Sequence, residues 1–168
     1  IVKRSGARQG DWIAVTGVLG GSLLRQHHDF TPRVCEGRFL AGEGFVSSMI
    51  DVSDGLVQDL SHILKASKVG AALDLDKIPV SSDAKKMGRG SVSKALERAF
   101  SDGEDFELLF TISSRKKRVL ERQWKKRFPR VALTWIGKIN GKVPVIRWLR
   151  DGEVVPAPKL SQKGFSHF

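Results

Sequence analysis

An α+β fold, with helices interleaved among strands and an antiparallel meander near the carboxy-terminal end, is predicted by three observations on this 168-residue chain. Apolar residues recur at helical spacing from residue 55 onward, and they alternate with period two from 106 to 112. Asn140-Gly141 and Asp151-Gly152 mark tight turns among the last strands. With 40% hydrophobic residues the chain is long enough to close one core and too short for two ordinary domains.

Residues 12–16 form a short apolar run between Gly10-Asp11 and Gly17 and read as a buried strand, after which Gly20-Gly21 breaks the chain. A short helix is predicted over 32–41, with Pro32 in its first turn and Val34, Phe39 and Leu40 on its inner side. Residues 48–52 read as a small apolar strand. Gly55 then opens the clearest helix, because Leu56, Val57, Leu60, Ile63 and Leu64 fall at i, i+1, i+4, i+7 and i+8. Another strand is predicted over 70–75, and the Ser81-Ser82-Asp83 cluster is where Asp83 could start a turn of helix. The basic, glycine-containing stretch 87–93 is expected to be mobile and 93–100 to form a short helix. Phe106, Leu108, Phe110 and Ile112 give the next strand one strongly apolar face. Strands over 131–139 and 142–149 flank Asn140-Gly141 and are predicted to pair as a hairpin.

No apolar run approaches the roughly 18 residues of a membrane span, and the opening residues carry no signal-peptide core, so a soluble, cytoplasmic protein is expected. The single Cys35 leaves neither an internal disulfide framework nor a cysteine cluster for zinc. The chain begins at Ile1 rather than Met, and an upstream portion is expected. Net charge is +11, much of it between 115 and 130, where nine Lys or Arg face Glu121 alone. Clustered cations attract a polyphosphate by releasing its counterions. Leu120, Trp124 and Phe128, with Val119 beside them, recur through the same stretch as an amphipathic helix packed on a core would require, so a solvated basic face is the preferred reading.

Asp51, Ser53 and Asp54 join a predicted strand to the amino end of the best helix. In one reading Ser53 or Asp54 is an N-cap, worth about 1 kcal/mol. In the other, Asp51 and Asp54 converge on a hard cation such as Mg2+, which takes oxygen ligands and keeps waters for substrate phosphates. Ser101-Asp102-Gly103-Glu104-Asp105 precedes a strand in the same way, either as an acidic loop or with Glu104 facing a cationic ligand. His27-His28 is too isolated for a metal site, and His62 reads as structural or solvent-facing. No Walker motif follows the first strand, and neither a Gly-x-Ser-x-Gly elbow nor a nucleophile-histidine pair is present.

RSGARQGDWIAVTGVLG, PRVCEGRFLA, SMIDVSDGLVQDLSHILKASKVGAALDLDKIPVS, SDGEDFELLFTI and KGFSHF follow one another in the order and approximate spacing of thiamine-monophosphate kinases. The resemblance covers nearly the whole chain, and IDVSDGL followed by GEDFELLF sets this family apart from the related aminoimidazole ribotide and selenophosphate synthetases. It implies a mixed β-sheet with packed helices, like the carboxy-terminal domain of aminoimidazole ribotide synthetase. It also implies ATP-dependent phosphorylation of thiamine monophosphate to thiamine diphosphate, with Mg2+ and no covalent enzyme intermediate. By motif, Asp51 and Asp54 resemble Mg2+ ligands, and Arg4 and Ser53 resemble ATP contacts. Glu104 and Phe165 resemble substrate contacts, Phe165 by stacking on the thiamine ring. The acceptor is already an anionic phosphate, so no residue is assigned as a general base.

The resemblance further implies a homodimer when full length and an amino-terminal ATP- and Mg2+-binding domain. Residues 1–168 then form a single carboxy-terminal domain, inactive by itself. Asp102 stands where the family has glycine, which is expected to restrict the turn. The link from Gly20-Gly21 to Pro32 is shorter than the family's. Two alternatives remain: a non-catalytic thiamine-phosphate-binding domain, and a nucleic-acid-binding module using 115–130, although nucleic acid is not the expected partner.

Overall fold

The structure, a computed structural model, describes residues 2–22 and 31–158. Its strands are β1 (Trp12–Thr16), β2 (Val46–Asp51), β3 (Ala71–Asp74), β4 (Leu108–Ile112), β5 (Leu133–Ile139), β6 (Ile146–Arg150) and β7 (Glu153–Val155). Its helices are α1 (Val34–Gly42), α2 (Leu56–Ser67), α3 (Ser82–Met87), α4 (Val92–Ser101) and α5 (Ser114–Arg127). All strands lie in one mixed sheet of order β2-β4-β1-β5-β3-β6-β7. Every pairing is antiparallel except β3 with β6.

Helices cover both faces of the sheet, and the alternation along each central strand divides its side chains between two cores. Ile13, Val15, Leu109 and Ile136 pack with Leu56, Leu60, Ile63 and Leu64 of α2 and Leu96, Ala99 and Phe100 of α4. Ala14, Phe110 and Ile112 pack on the other side with Leu40 of α1 and Leu120 and Trp124 of α5. Phe110 and Ile112 thus share the face expected of them. Leu109 is equally buried on the opposite one, because helices pack on both faces of the sheet at β4.

The predicted hairpin over 131–149 does not form. β3 is inserted between β5 and β6, so Asn140-Gly141 turns toward β3: Asn140 N–H donates to the Gly70 carbonyl at 2.8 Å and Gly70 N–H to the Gly141 carbonyl at 3.2 Å. Both edges of β5 are paired, one with β1 and the other with β3, and side-chain alternation, which marks faces rather than edges, could not show this. The later turn does make a hairpin, joining β6 to β7 through Asp151 and Gly152, whose φ angles of 51° and 82° suit a type I′ turn.

The basic helix α5 lays Leu120 and Trp124 on the second core, and Trp124 Nε1 donates to the Val131 carbonyl at 2.8 Å. Phe128 packs against Phe39 with ring centroids 5.5 Å apart. Val119, expected beside that stripe, is exposed. Lys117 is drawn 3.6 Å above the Trp12 ring, and its ammonium pKa is lowered, chiefly by burial. No helix among the described residues is long and apolar enough to cross a membrane.

Candidate functional site: two acidic turns at one end of the sheet

β2 and β4 run antiparallel side by side, with Asp51 opposite Leu108. The turn leaving β2 and the turn entering β4 therefore emerge at the same end, although about 50 residues separate them in sequence. Main-chain bonds continue past the strands. Val52 N–H donates to the Glu107 carbonyl at 2.8 Å, Phe106 N–H to Val52 at 2.9 Å and Glu104 N–H to Ser53 at 2.8 Å. Glu104 and Phe106 adopt left-handed φ angles of 52° and 51° to make those bonds. Gly103 lies so close that a Cβ on it would stand 2.6 Å from the Ser53 carbonyl oxygen, at a φ of 67°.

Neither Ser53 nor Asp54 caps α2. The N-cap is Gly55, without a side-chain bond, and the role passes to Asp59 in the first turn. The Asp59 carboxylate reaches back to accept Ser53 N–H and Asp54 N–H, each at 3.0 Å through Oδ2. Only 1% of Asp59 is exposed, and desolvation raises its carboxyl pKa. The two main-chain bonds pull the other way, while the charges of Asp54 and Asp51 add to the rise. Ligand atoms of Asp54, Asp59 and His62 lie within 4.8 Å of one another. Gln58 Nε2 also donates to Asp54 Oδ2 at 3.3 Å.

The other acidic turn divides its carboxylates. Asp105 accepts Gly20 N–H with both oxygens at 2.9 Å, and Asp102 accepts Gly21 N–H at 3.0 Å while facing Arg98 at 3.3 Å. Both acids are buried and hold the Gly20-Gly21 turn. Asp102 does not strain the loop as expected, because it is the α4 C-cap with a right-handed φ of −65° that needs no glycine. The stretch 87–93 closes α3 and opens α4, whose N-cap Ser91 accepts Lys94 N–H.

Asp51, Ser53, Asp54 and Glu104 are thus brought together by the strand pairing, Asp51 exposed and the other three half-buried. Arg4 is exposed, and its carbonyl lies 3.5 Å from Ser67 Oγ, at the opposite end of α2 from Asp54. Phe165, His27-His28 and the shortened link after Gly21 lie outside the described residues. Sequence reasoning passed over Asp59, although its position between Leu56 and Leu60 on the apolar face of α2 was a signal. An acid there must find hydrogen-bond donors. It also passed over Glu107, whose carboxylate is gripped by Arg33.

Asp51 and Asp54 carry hard oxygen donors of the kind Mg2+ takes, although the group of described residues whose ligand atoms lie together is Asp54, Asp59 and His62. Asp59 places a second carboxylate beside Asp54, but one of its oxygens is already engaged by the loop amides. Two cavities of about 380 and 390 Å³ lie against α4, and neither is lined by Asp51, Ser53, Asp54 or Glu104.

Residues 25–121 match the family described as AIR synthase related protein, C-terminal domain. A thiamine-monophosphate kinase of Rhodopirellula baltica is 41% identical over 83% of this chain and 43% of its own length. The crystal structure of thiamine-monophosphate kinase from Stenotrophomonas maltophilia superposes with a TM-score of 0.74 at 30% identity, covering 92% of this chain and 54% of that one. A structure described as AaThiL complexed with AMPPCP and TMP gives 0.69 at 28% identity, over 99% of this chain and 54% of that chain. The chain thus spans about half the length of the curated relatives it matches.

Proposed function

Because the chain belongs to the family of the AIR synthase related protein, C-terminal domain, we propose that it is the carboxy-terminal part of a thiamine-monophosphate kinase. The whole enzyme transfers the γ-phosphoryl group of ATP to the phosphate of thiamine monophosphate, giving thiamine diphosphate and ADP. The observation that carries this reading is the meeting of two acidic turns at one end of the β2–β4 pair, in a chain similar to such kinases over most of its length.

In this reading Asp51 and Asp54 hold Mg2+ and Ser53 contacts ATP beside them, while Arg4, exposed and with its main chain at the far end of α2, contacts the same ATP through its long side chain. Bound there, Mg2+ neutralises phosphate charge. Glu104 contacts the cationic thiamine from the second turn, and Phe165 stacks on its ring. The acceptor oxygen is already anionic, so the chain's residues bind and orient, and no side chain here needs to take a proton. Asp59 keeps the Ser53 and Asp54 amides turned inward, which fixes where the Asp54 carboxylate starts from. The remaining nucleotide and metal contacts belong to an amino-terminal domain, so residues 1–168 alone are inactive. The whole enzyme works as a cytoplasmic homodimer.

The test is thiamine diphosphate formation by the full-length protein with ATP and Mg2+. Asp51→Asn and Asp54→Asn should each lower kcat at least tenfold. Undiminished turnover in both variants would sink the metal assignment, and an inactive parent would sink the kinase reading.

A further inference from the structure

Glu107 is a buried acid that neither turn explains. It precedes β4, is 4% exposed, and its carboxylate is fully engaged. Thr16 Oγ1 donates to Oε2 at 2.6 Å, while Arg33 donates from Nε to Oε2 and from Nη2 to Oε1, both at 2.8 Å. Leu108 N–H donates in turn to Thr16 Oγ1 at 2.8 Å. The space is closed on the remaining side by the Gly17 backbone, where a Cβ would stand 2.0 Å from Oε1. The carboxylate therefore locks the end of β1, the approach to α1 and the start of β4 to one another.

The main chain of the same residue reaches the candidate site. Its carbonyl accepts Val52 N–H at 2.8 Å, between Asp51 and Ser53, and Phe106 N–H returns to the Val52 carbonyl at 2.9 Å. A buried ion pair is weak evidence for stability, because desolvating both charges offsets most of their attraction. Its better-attested use is to fix register. An Arg fork on a carboxylate sets both distance and plane.

We propose that Glu107, gripped by Arg33 and Thr16, is a positioning residue that fixes the Glu104 turn against the Asp51–Asp54 turn, and so the spacing between phosphoryl acceptor and nucleotide. The inference rests on the kinase reading above. Its energetic logic is that reacting atoms must be aligned closely, and a misplacement of roughly 1 Å costs on the order of 100-fold in rate. Substrate affinity, spread over more contacts, should change less.

The experiment uses the full-length protein with Glu107→Gln, Arg33→Gln and the double variant. The Glu107→Gln side chain keeps the length and one acceptor for Thr16 but loses the charge and an oxygen of the fork. Expected in Glu107→Gln is a kcat lowered by about 10- to 100-fold with each KM changed less than about threefold. The double variant should be no worse than either single one, since both remove the same clamp. Amide hydrogen exchange reads the cause directly: Glu104 and Phe106 should exchange at least about tenfold faster, with α2 and β5 unchanged. Unchanged kcat in an active parent overturns the inference, as does unchanged exchange at Glu104 and Phe106. Loosening spread equally over α2 and β5 also overturns it, because Glu107 would then be a general stabiliser. An inactive parent refutes the kinase reading, and the exchange measurement still decides whether Glu107 holds the two turns together.

Discussion

Gly103→Ala tests the geometry on which the site depends. The added Cβ meets the Ser53 carbonyl oxygen at 2.6 Å, and the residue must keep a φ of 67°. The left-handed conformation costs about 1 to 2 kcal/mol for a residue with a Cβ. The oxygen is main chain and cannot swing aside, so the turn must move, and the bond from Glu104 N–H to the Ser53 carbonyl is lost at about 1 kcal/mol. Together with residual strain the expected destabilisation is about 2 to 4 kcal/mol, or a Tm lower by roughly 5 to 15 °C for a chain of this size. Gly42→Ala is the matched control. Gly42 ends α1, is exposed, and has open space where the Cβ would go. The same substitution there should stabilise by about 0.4 to 1 kcal/mol. Urea unfolding followed by tryptophan fluorescence measures both. Gly103→Ala within about 0.5 kcal/mol of the parent would show that the two turns are not packed as described.

Three further outcomes follow from single contacts. In the metal-free protein, burial raises the Asp59 carboxyl pKa, so between the unfolded and native pKa values the native state holds a proton that the unfolded chain has released. The Asp59 contribution is therefore greatest below the unfolded pKa and is lost as pH rises through the native one, and Asp59→Asn should flatten this part of a stability-versus-pH curve. Asp102→Ala should destabilise by about 1 to 3 kcal/mol in urea unfolding, because it leaves the buried Gly21 N–H without its acceptor. Trp124→Ala should cost about 3 to 5 kcal/mol, while Arg122→Ala on the exposed side of α5 should stay within about 0.5, as calorimetry can check.

Local pattern carried the strands and helices well, because each central element states its buried face in its own period. The 55–64 spacing located α2, and the 106–112 alternation located β4. Pairing was legible only where the turn itself decided it. Asp151-Gly152 made its hairpin, since nothing competes for β6 on that edge. Asn140-Gly141 carried the same local signal and lost to β3, a strand about 60 residues earlier that supplies both edges with a partner. The candidate site followed a similar rule. Asp54 and Glu104 were visible as acids next to glycines and Asp51 as an acid at a strand end, but Asp59 and Glu107 sit inside apolar patterns where a carboxylate looks like an interruption. Their partners, loop amides in one case and Arg33 in the other, are fixed by tertiary structure.

The charge distribution gives these buried acids a common meaning. A chain with a net charge of +11 has cations in excess, and it directs two of them, Arg33 and Arg98, onto Glu107 and Asp102, the acids that tie loops together. At the mouth of α2 the arrangement is opposite. There the desolvated Asp59 is faced by the charges of Asp54 and Asp51, both of which work against its ionisation. Like charges gathered beside a buried carboxylate are unfavourable in the absence of a counter-ion, and a divalent cation held there as proposed would remove that cost. Mg2+ with ATP should therefore raise the stability of the full-length protein, and Asp54→Asn should abolish most of that increase while leaving the ligand-free protein as stable or more so. A thermal shift that is equal in parent and variant would place the cation elsewhere.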